Sequence, residues 1–155
     1  MNRLLRFALL GMLIIAGMSA ARVGTAAEAN QCRLNVTPLS FGKVNPFSPV
    51  AGRANGSITY NCTVSAPIAI GFEAPGGSGT RRMKQGAVGL DYDLYLDAAC
   101  TIVWGNGAGG SQLFRDPAPP PNSNVTVPVY GCLHAGQRSA LMGNYGDSFI
   151  VTIQF

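Results

Sequence analysis

The chain has 155 residues, of which 12% are charged, and a formal net charge of +4. Three of its eleven basic residues, Arg3, Arg6 and Arg22, lie near the N-terminus, and without them eight basic residues face seven acidic ones. The rest of the chain is therefore almost neutral, which excludes a broad basic face and argues against nucleic acid as a partner.

The N-terminus predicts a secretory signal peptide. Residues 1–6 include two arginines, residues 7–16 are almost wholly apolar, and small residues follow, which is the order of regions in such a peptide. The apolar run is shorter than the ~20 residues of a membrane span, so we expect no span after cleavage. We assign residues 1–27 to the signal, with cleavage between residues 21 and 29, and residues 28–155 to a single domain.

Beyond the signal peptide, short alternating segments separated by Gly and Pro clusters predict an all-β sandwich or barrel. The expected strands cover residues 32–36, 39–44, 57–64, 67–72, 90–96, 102–104, 125–130 and 148–155. Pro38 breaks or bends the first of them. Pro128 predicts an edge strand or a bulge, because proline cannot donate to a central ladder.

Two of the connecting segments carry candidate interaction residues. Residues 81–84 hold three basic side chains, and a short charge run of this kind usually lies in a solvated loop. Residues 105–124 are rich in Gly and Pro, and so long an irregular stretch is usually a functional loop or disordered. Within it, Leu113 and Phe114 are candidates for contact with a surface or ligand. The alternative is that both fold back onto the core.

Four cysteines remain after signal cleavage, and an even number in an exported chain indicates disulfides with three possible connectivities. We favour Cys32–Cys62 and Cys100–Cys132, because each bridge then joins strand-like segments that are neighbours in sequence. Cys62 lies on the apolar face of its strand. A zinc site is the weaker alternative, because no C-x-x-C pair exists and His134 is the only histidine.

The last predicted strand, residues 148–155, has a period of two that puts four apolar side chains on one face. They are Phe149, Val151, Ile153 and Phe155. Soluble proteins usually protect such an edge with Lys, Pro or a covering element, and none follows here. We therefore expect another chain to pair along this strand. The alternative is an ordinary strand inside the sheet.

Nothing in the sequence predicts catalysis. His134 is the only available imidazole, and the G-x-S-x-G nucleophile motif is absent. Asp91 and Asp93 lie on the outer face of a predicted strand, where solvated carboxylates are normal. With Asp97 they could be imagined as a calcium site or an acid pair, but we predict no enzyme, no metal and no cofactor.

Five short motifs precede the terminal strand in a fixed order. They are Leu-Ser-Phe-Gly at residues 39–42, Tyr-Asp-Leu-Tyr-Leu-Asp at 92–97, Val-Trp-Gly-Asn-Gly at 103–107, Tyr-Gly at 130–131 and Gly-Asn-Tyr-Gly-Asp at 143–147. Together they resemble the spore coat protein U domain, which also forms the subunits of archaic (Csu-type) chaperone–usher pili. The resemblance covers essentially residues 32–155.

This resemblance implies an immunoglobulin-like sandwich that lacks its final strand. A periplasmic chaperone would lend that strand first, the N-terminal extension of a neighbouring pilus subunit would then replace it, and an usher would export the fibre. Such pairing is β-strand addition. It implies a route through the periplasm to the cell surface, where the subunit would belong to an extracellular fibre.

The sequence departs from the fibre-forming pattern ahead of Cys32. A cut after Ala27 leaves only residues 28–31, and the earliest cut leaves small side chains that would fill pockets poorly. We therefore expect a subunit that accepts a strand without donating one, at the tip of the fibre. A self-standing coat or matrix protein and a secreted binding module, such as a lectin, are the alternatives.

Overall fold

The computed structural model describes residues 31–45, 47–49, 52–73 and 80–155. These ranges contain eight strands and no helix, and the predicted signal peptide lies outside them. No described helix is long and apolar enough to span a membrane. The strands are β1 (Cys32–Thr37), β2 (Arg53–Cys62), β3 (Ile68–Phe72), β4 (Arg81–Gln85), β5 (Val88–Tyr95), β6 (Phe114–Asp116), β7 (Val125–Leu133) and β8 (Val151–Gln154).

The strands form two sheets in which every pair is antiparallel. The larger sheet has the order β1-β2-β7-β5-β4, and the smaller has the order β6-β3-β8. Alternating side chains from both sheets meet in one core, as the period of two requires. The predicted all-β sandwich is therefore confirmed.

The smaller sheet lies across the larger one. At one side, Tyr60 of β2 donates a hydrogen bond to the carboxylate of Asp116 on β6, at 2.5 Å. At the other side, the guanidinium of Arg81 on β4 lies over the ring of Phe72 on β3. The smaller sheet thus runs from above β2 to above β4. Trp104 fills the space between, with its ring centroid 5.0 Å from that of Phe72.

The structure pairs Cys32 with Cys62 and Cys100 with Cys132, the two pairs favoured from the sequence. Cys32 and Cys62 lie directly opposite each other on β1 and β2, and Cys62 is buried. Cys100 belongs to the turn after β5, so the second bridge ties that turn to β7. Each bridge fastens an outer segment to a more central strand.

The predicted loop at residues 81–84 is wrong, because Arg81–Gln85 forms edge strand β4. Its side chains alternate between the core and solvent: Arg81 and Met83 face the core, whereas Arg82 and Lys84 are exposed. Charge alone suggested a loop, but charged side chains on the solvent face of an edge strand are a normal protective device.

Pro128 lies in β7, which is central in sheet order and not an edge strand. However, β7 pairs with β5 only from Tyr130 to Leu133, while Pro128 pairs with Ser57 on β2. At Pro128 the strand therefore has a partner on one side alone. The missing N–H interrupts no ladder there, so the constraint on proline is met by a local edge.

Three other predicted strands differ in extent. Residues 102–104 make only isolated bridges through Val103 and Trp104, and residues 39–44 join no sheet. The terminal strand is shorter than residues 148–155, because ladder pairing with β3 covers only Val151–Gln154. Alternation of apolar residues predicted the core-facing side of Phe149, Val151 and Ile153 in the terminal segment, but it carries no information on the backbone partner.

Candidate strand-acceptor edge

The two sheets have four edge strands, and three of them are protected by charge. Each of the three carries at least one exposed cation, and exposed charge on an edge opposes pairing with a further strand. In contrast, β8 contains no charged residue, proline or glycine. The charged residues are Arg33 on β1, Arg82 and Lys84 on β4, and Arg115 and Asp116 on β6. Among the described strands, β8 is therefore the edge best suited to accept another strand.

The apolar face of β8 is turned towards the core but is not fully covered. Val151 lies opposite Phe72, and Ile153 lies opposite Ile70. Both β3 side chains are completely buried, whereas Val151 and Ile153 are half-buried. Phe149 precedes the strand and packs edge-on against the Phe72 ring, with centroids 5.1 Å apart. Three of the four side chains predicted for this face thus contact the core.

Phe155 is the exception, with 60% of its surface exposed. It follows the last paired residue, Gln154, so no strand geometry holds it over the core. The place of Phe155 on the face that an incoming strand would meet stays a prediction. The ladder between β8 and β3 ends at Gln154, one residue before Phe155.

Residues 39–44 cross over the core-facing side of the larger sheet and form the opposite wall. Phe41 packs edge-on against Tyr92, with ring centroids 5.8 Å apart. Leu39 and Phe41 approach Gly131 so closely that a Cβ at that position would lie 2.5 Å from Leu39. A larger residue at position 131 would displace the Leu39 and Phe41 side chains. The backbone of residues 39–44 makes no backbone hydrogen bond to another described segment.

The floor between these walls is a row of aliphatic side chains across three strands. Val36, Ile58 and Val127 lie opposite one another on β1, β2 and β7 and face the core. Ile58 is fully buried, but Val127 is only half-buried and Val36 is 36% exposed. Val127 lies outside the part of β7 that pairs with β5, and Val36 lies on edge strand β1, so both ends of this row are at an edge of the larger sheet. The inner faces of a sandwich normally cover each other, but here the opposing sheet leaves these two ends partly open.

A polar cluster closes one end of the opening. Tyr92 on the floor donates a hydrogen bond to Asp147, at 2.9 Å. Burial raises the pKa of Tyr92 well above its ordinary value, and this hydrogen bond raises the pKa further. The hydroxyl is therefore protonated at physiological pH. It ties the segment that leads into β8 to the same tyrosine that packs against Phe41.

Arg81 lies beside this cluster and is 4% exposed. Its guanidinium lies between the rings of Phe72 and Phe149, 5.6 and 5.3 Å from their centroids. Burial lowers the pKa of Arg81, and its Nη1 has no hydrogen-bond partner among the described residues. This buried arginine was not among the residues predicted from the sequence. The alternation of Arg81, Met83 and Gln85 with charged neighbours was the signal that could have identified a strand.

Leu113 and Phe114, the candidates for surface contact, are both half-buried. Phe114 lies in β6, where its ring contacts those of Tyr60 and Trp104 at 6.2 and 5.8 Å between centroids. Leu113 packs directly over Gly71, where a Cβ would lie 2.5 Å from it. This placement corresponds to the alternative in which both residues fold back onto the core, and their contact with a surface or ligand stays a prediction.

The carboxylates considered for catalysis are engaged in structural contacts. Asp91 forms an ion pair with Arg82 at 2.6 Å, and Asp93 lies 3.0 Å from His134 Nε2. Asp97 accepts hydrogen bonds from the backbone N–H groups of Thr101 and Ile102, and these bonds lower its pKa. Each carboxylate thus stabilises a strand pair or turn on the outer side of the larger sheet.

Comparisons with known proteins agree on one domain type. The family model for the Spore Coat Protein U domain matches residues 18–152. A search of curated proteins finds no match. Among solved structures, a chain in the crystal structure of the CsuC–CsuE chaperone–tip adhesion subunit pre-assembly complex, from archaic chaperone–usher Csu pili of Acinetobacter baumannii, matches with a TM-score of 0.58 and 17% identity. The alignment covers 82% of this chain and 40% of that one, so this chain spans less than half the length of the structure it resembles.

Proposed function

The chain belongs to the Spore Coat Protein U domain family, and from this premise we propose that it is a structural subunit of a chaperone–usher pilus which accepts a foreign strand along β8. The family assignment makes the chain a structural protein rather than an enzyme. The proposed partners are a periplasmic chaperone, an usher and a neighbouring pilus subunit. The proposed route leads through the periplasm to a fibre on the cell surface.

One observation carries this proposal: the uncharged edge of β8 borders a core whose floor row is only partly covered. A strand inserted between β8 and residues 39–44 would supply backbone partners to both walls. Its alternate side chains would cover the exposed parts of Val36 and Val127, the two ends of the row. Backbone hydrogen bonds give affinity in β-strand addition, and the side-chain pockets give specificity. Burial of the remaining apolar surface of Val36 and Val127 contributes about 25 cal/mol per Å².

A synthetic strand tests the proposal directly. The probe is a nine-residue peptide in which Val or Ile alternates with Thr, and the control peptide has the same composition with its apolar residues grouped together. We expect the alternating peptide to bind the full chain purified from the periplasm and to raise its Tm, while the grouped peptide does neither. Equal effects of the two peptides would contradict a groove that recognises alternating apolar side chains.

Two alternatives make different predictions. A self-standing coat or matrix protein, or a secreted binding module, must protect the β8 edge without a chaperone. Purification of a folded, monomeric and non-aggregating chain from cells that lack any such chaperone would favour those alternatives. Co-purification of a stoichiometric chaperone would favour the pilus subunit.

The position of the subunit within the fibre stays a prediction, because the segment that precedes Gln31 lies outside the described residues. Immunogold labelling of assembled fibres measures this position. Particles confined to fibre ends would support the tip, and particles at regular intervals along the shaft would contradict it.

A further inference from the structure

The loop between β7 and β8 presents two aliphatic side chains to solvent. Met142 is 96% exposed and Leu141 is 62% exposed. Both belong to a loop that is held in place: Tyr145 Oη donates to the carbonyl of Leu141 at 2.7 Å and accepts from its N–H at 2.9 Å. The Tyr145 ring packs against the core, and Ala140 is buried. An apolar surface on a fixed loop is a feature of interaction sites.

A third exposed apolar residue lies on the loop that follows residues 39–44. Phe47 is 58% exposed, and its turn is joined to the first loop by a hydrogen bond from Gly136 N–H to the carbonyl of Ser48 at 3.0 Å. The two loops continue the two walls of the opening. One follows residues 39–44, and the other leads into β8 through Gly146, which bridges to Lys84 of β4. The apolar loops therefore lie at the end of the opening where β8 begins.

Strand direction determines what would occupy this end. All described strand pairs are antiparallel, and antiparallel pairing is slightly the more stable arrangement. A strand that pairs antiparallel to β8 starts near Gln154 and leaves the opening near Phe149. If that strand precedes its own folded domain, the domain begins beside Leu141 and Met142.

We propose that Leu141 and Met142 form the docking surface for the folded body of the neighbouring subunit whose N-terminal strand enters the opening. This inference rests on the proposed strand acceptance and extends it from the strand to the domain that carries it. Methionine suits such a contact, because its flexible side chain adapts to irregular surfaces. The contact would fix the angle between successive domains and slow the release of the strand.

The test compares three ligands that share one strand sequence. The first is the free alternating peptide, the second is a copy of this chain with the peptide fused ahead of Cys32, and the third is a copy with the peptide fused after Phe155. In the second ligand, the folded domain follows the strand, so it would lie at the end of the opening near Met142. In the third ligand, the folded domain precedes the strand, so it would lie at the opposite end of the opening.

The variant L141S/M142S, purified as the full chain, should bind the free peptide with a Kd within twofold of the unaltered chain. It should bind the N-terminal fusion at least tenfold more weakly, through faster dissociation, and the C-terminal fusion without change. The matched control is Ile102→Ser, because Ile102 is 38% exposed and follows the opposite end of β5. It should leave all three affinities unchanged.

An unchanged affinity of L141S/M142S for the N-terminal fusion would overturn the docking surface while leaving strand acceptance intact. A tenfold loss for the C-terminal fusion instead would overturn the antiparallel orientation and, with it, this inference. Failure of the free peptide to bind the unaltered chain would overturn the proposed function itself. The outcomes therefore separate the two levels of the proposal.

Discussion

Ile153 of β8 lies directly opposite Ile70 of β3, yet Ile70 is completely buried and Ile153 only half-buried. Both side chains face the same core, so the difference arises from their neighbours. Ile70 has a strand on each side, β6 and β8, whereas Ile153 has β3 on one side and no described strand on the other. The core is thus completed as far as β8 and remains open beyond it.

The first prediction concerns this residue. The variant Ile153→Asp places a carboxylate where an inserted strand would remove water, and burial of an unpaired charge costs several kcal/mol. We expect binding of the alternating peptide to fall at least a hundredfold, measured by calorimetry. The matched control Gln154→Asp carries the same charge on the exposed neighbour and should lose less than threefold. A similar loss in both variants would contradict the assigned facing of β8.

The second prediction concerns the disulfides, which enclose sequence separations of 30 and 32 residues. Cross-links of this span restrict the unfolded chain and contribute about 3–4 kcal/mol each in the chain-entropy model. Mass spectrometry of a non-reduced digest should show Cys32 linked to Cys62 and Cys100 linked to Cys132. Reduction should lower the Tm markedly. A Cys32–Cys100 or Cys32–Cys132 peptide would contradict the register of β1 on β2.

The third prediction is a pH dependence at the turn that contains Cys100. Hydrogen bonds from Ile102 and Thr101 lower the pKa of Asp97 from its ordinary value of 3.8. A depressed folded-state pKa contributes stability that is complete above the unfolded-state pKa and is lost as the pH falls through the folded-state value. We expect Asp97→Asn to be less stable than the unaltered chain at pH 7, and the difference to shrink below pH ~4.

Thermal unfolding at pH 7 and at pH 3 measures this difference. Asp91→Asn is the control, because Asp91 makes an exposed ion pair with Arg82 that contributes only about 0–1 kcal/mol. A destabilisation by Asp97→Asn that is equal at the two pH values would show that the carboxylate charge has no part in holding the turn.

The sequence predicted which side chains of a strand face the core, but it did not predict which strands pair with each other. The alternation of Cys62 with Tyr60 and Ile58, and of Phe149 with Val151 and Ile153, was sufficient to assign their core-facing sides. Leu39 and Phe41 also alternate and pack against the core, but residues 39–44 join no sheet. Partnership depends on residues that are distant in sequence, and a local pattern carries no signal for it.

Local composition was a misleading guide at two places for a related reason. Arg81 was counted with its basic neighbours, although its strand position turns it towards Phe72 and Phe149. The apolar pair Leu113 and Phe114 was considered for surface contact within a Gly- and Pro-rich stretch, although β6 and Trp104 draw it into the core. In both cases the decisive contact is tertiary and overrides the local composition.

The fourth prediction uses Val127 to test whether the floor row is open. The variant Val127→Phe adds a larger side chain at a core-facing position that is only half-buried. In a closed core, such an enlargement would cost about 1–3 kcal/mol through overpacking. In an open one, the phenyl ring covers exposed aliphatic surface and increases the buried apolar area. We therefore expect Val127→Phe to raise the Tm of the isolated chain and to weaken binding of the alternating peptide at least tenfold, because the ring occupies space meant for an incoming side chain.

Thr126→Phe places the same ring on the exposed outer face and should change peptide binding by less than twofold. A lower Tm for Val127→Phe, together with unchanged peptide affinity, would show that the row is already covered and that no strand is missing above it.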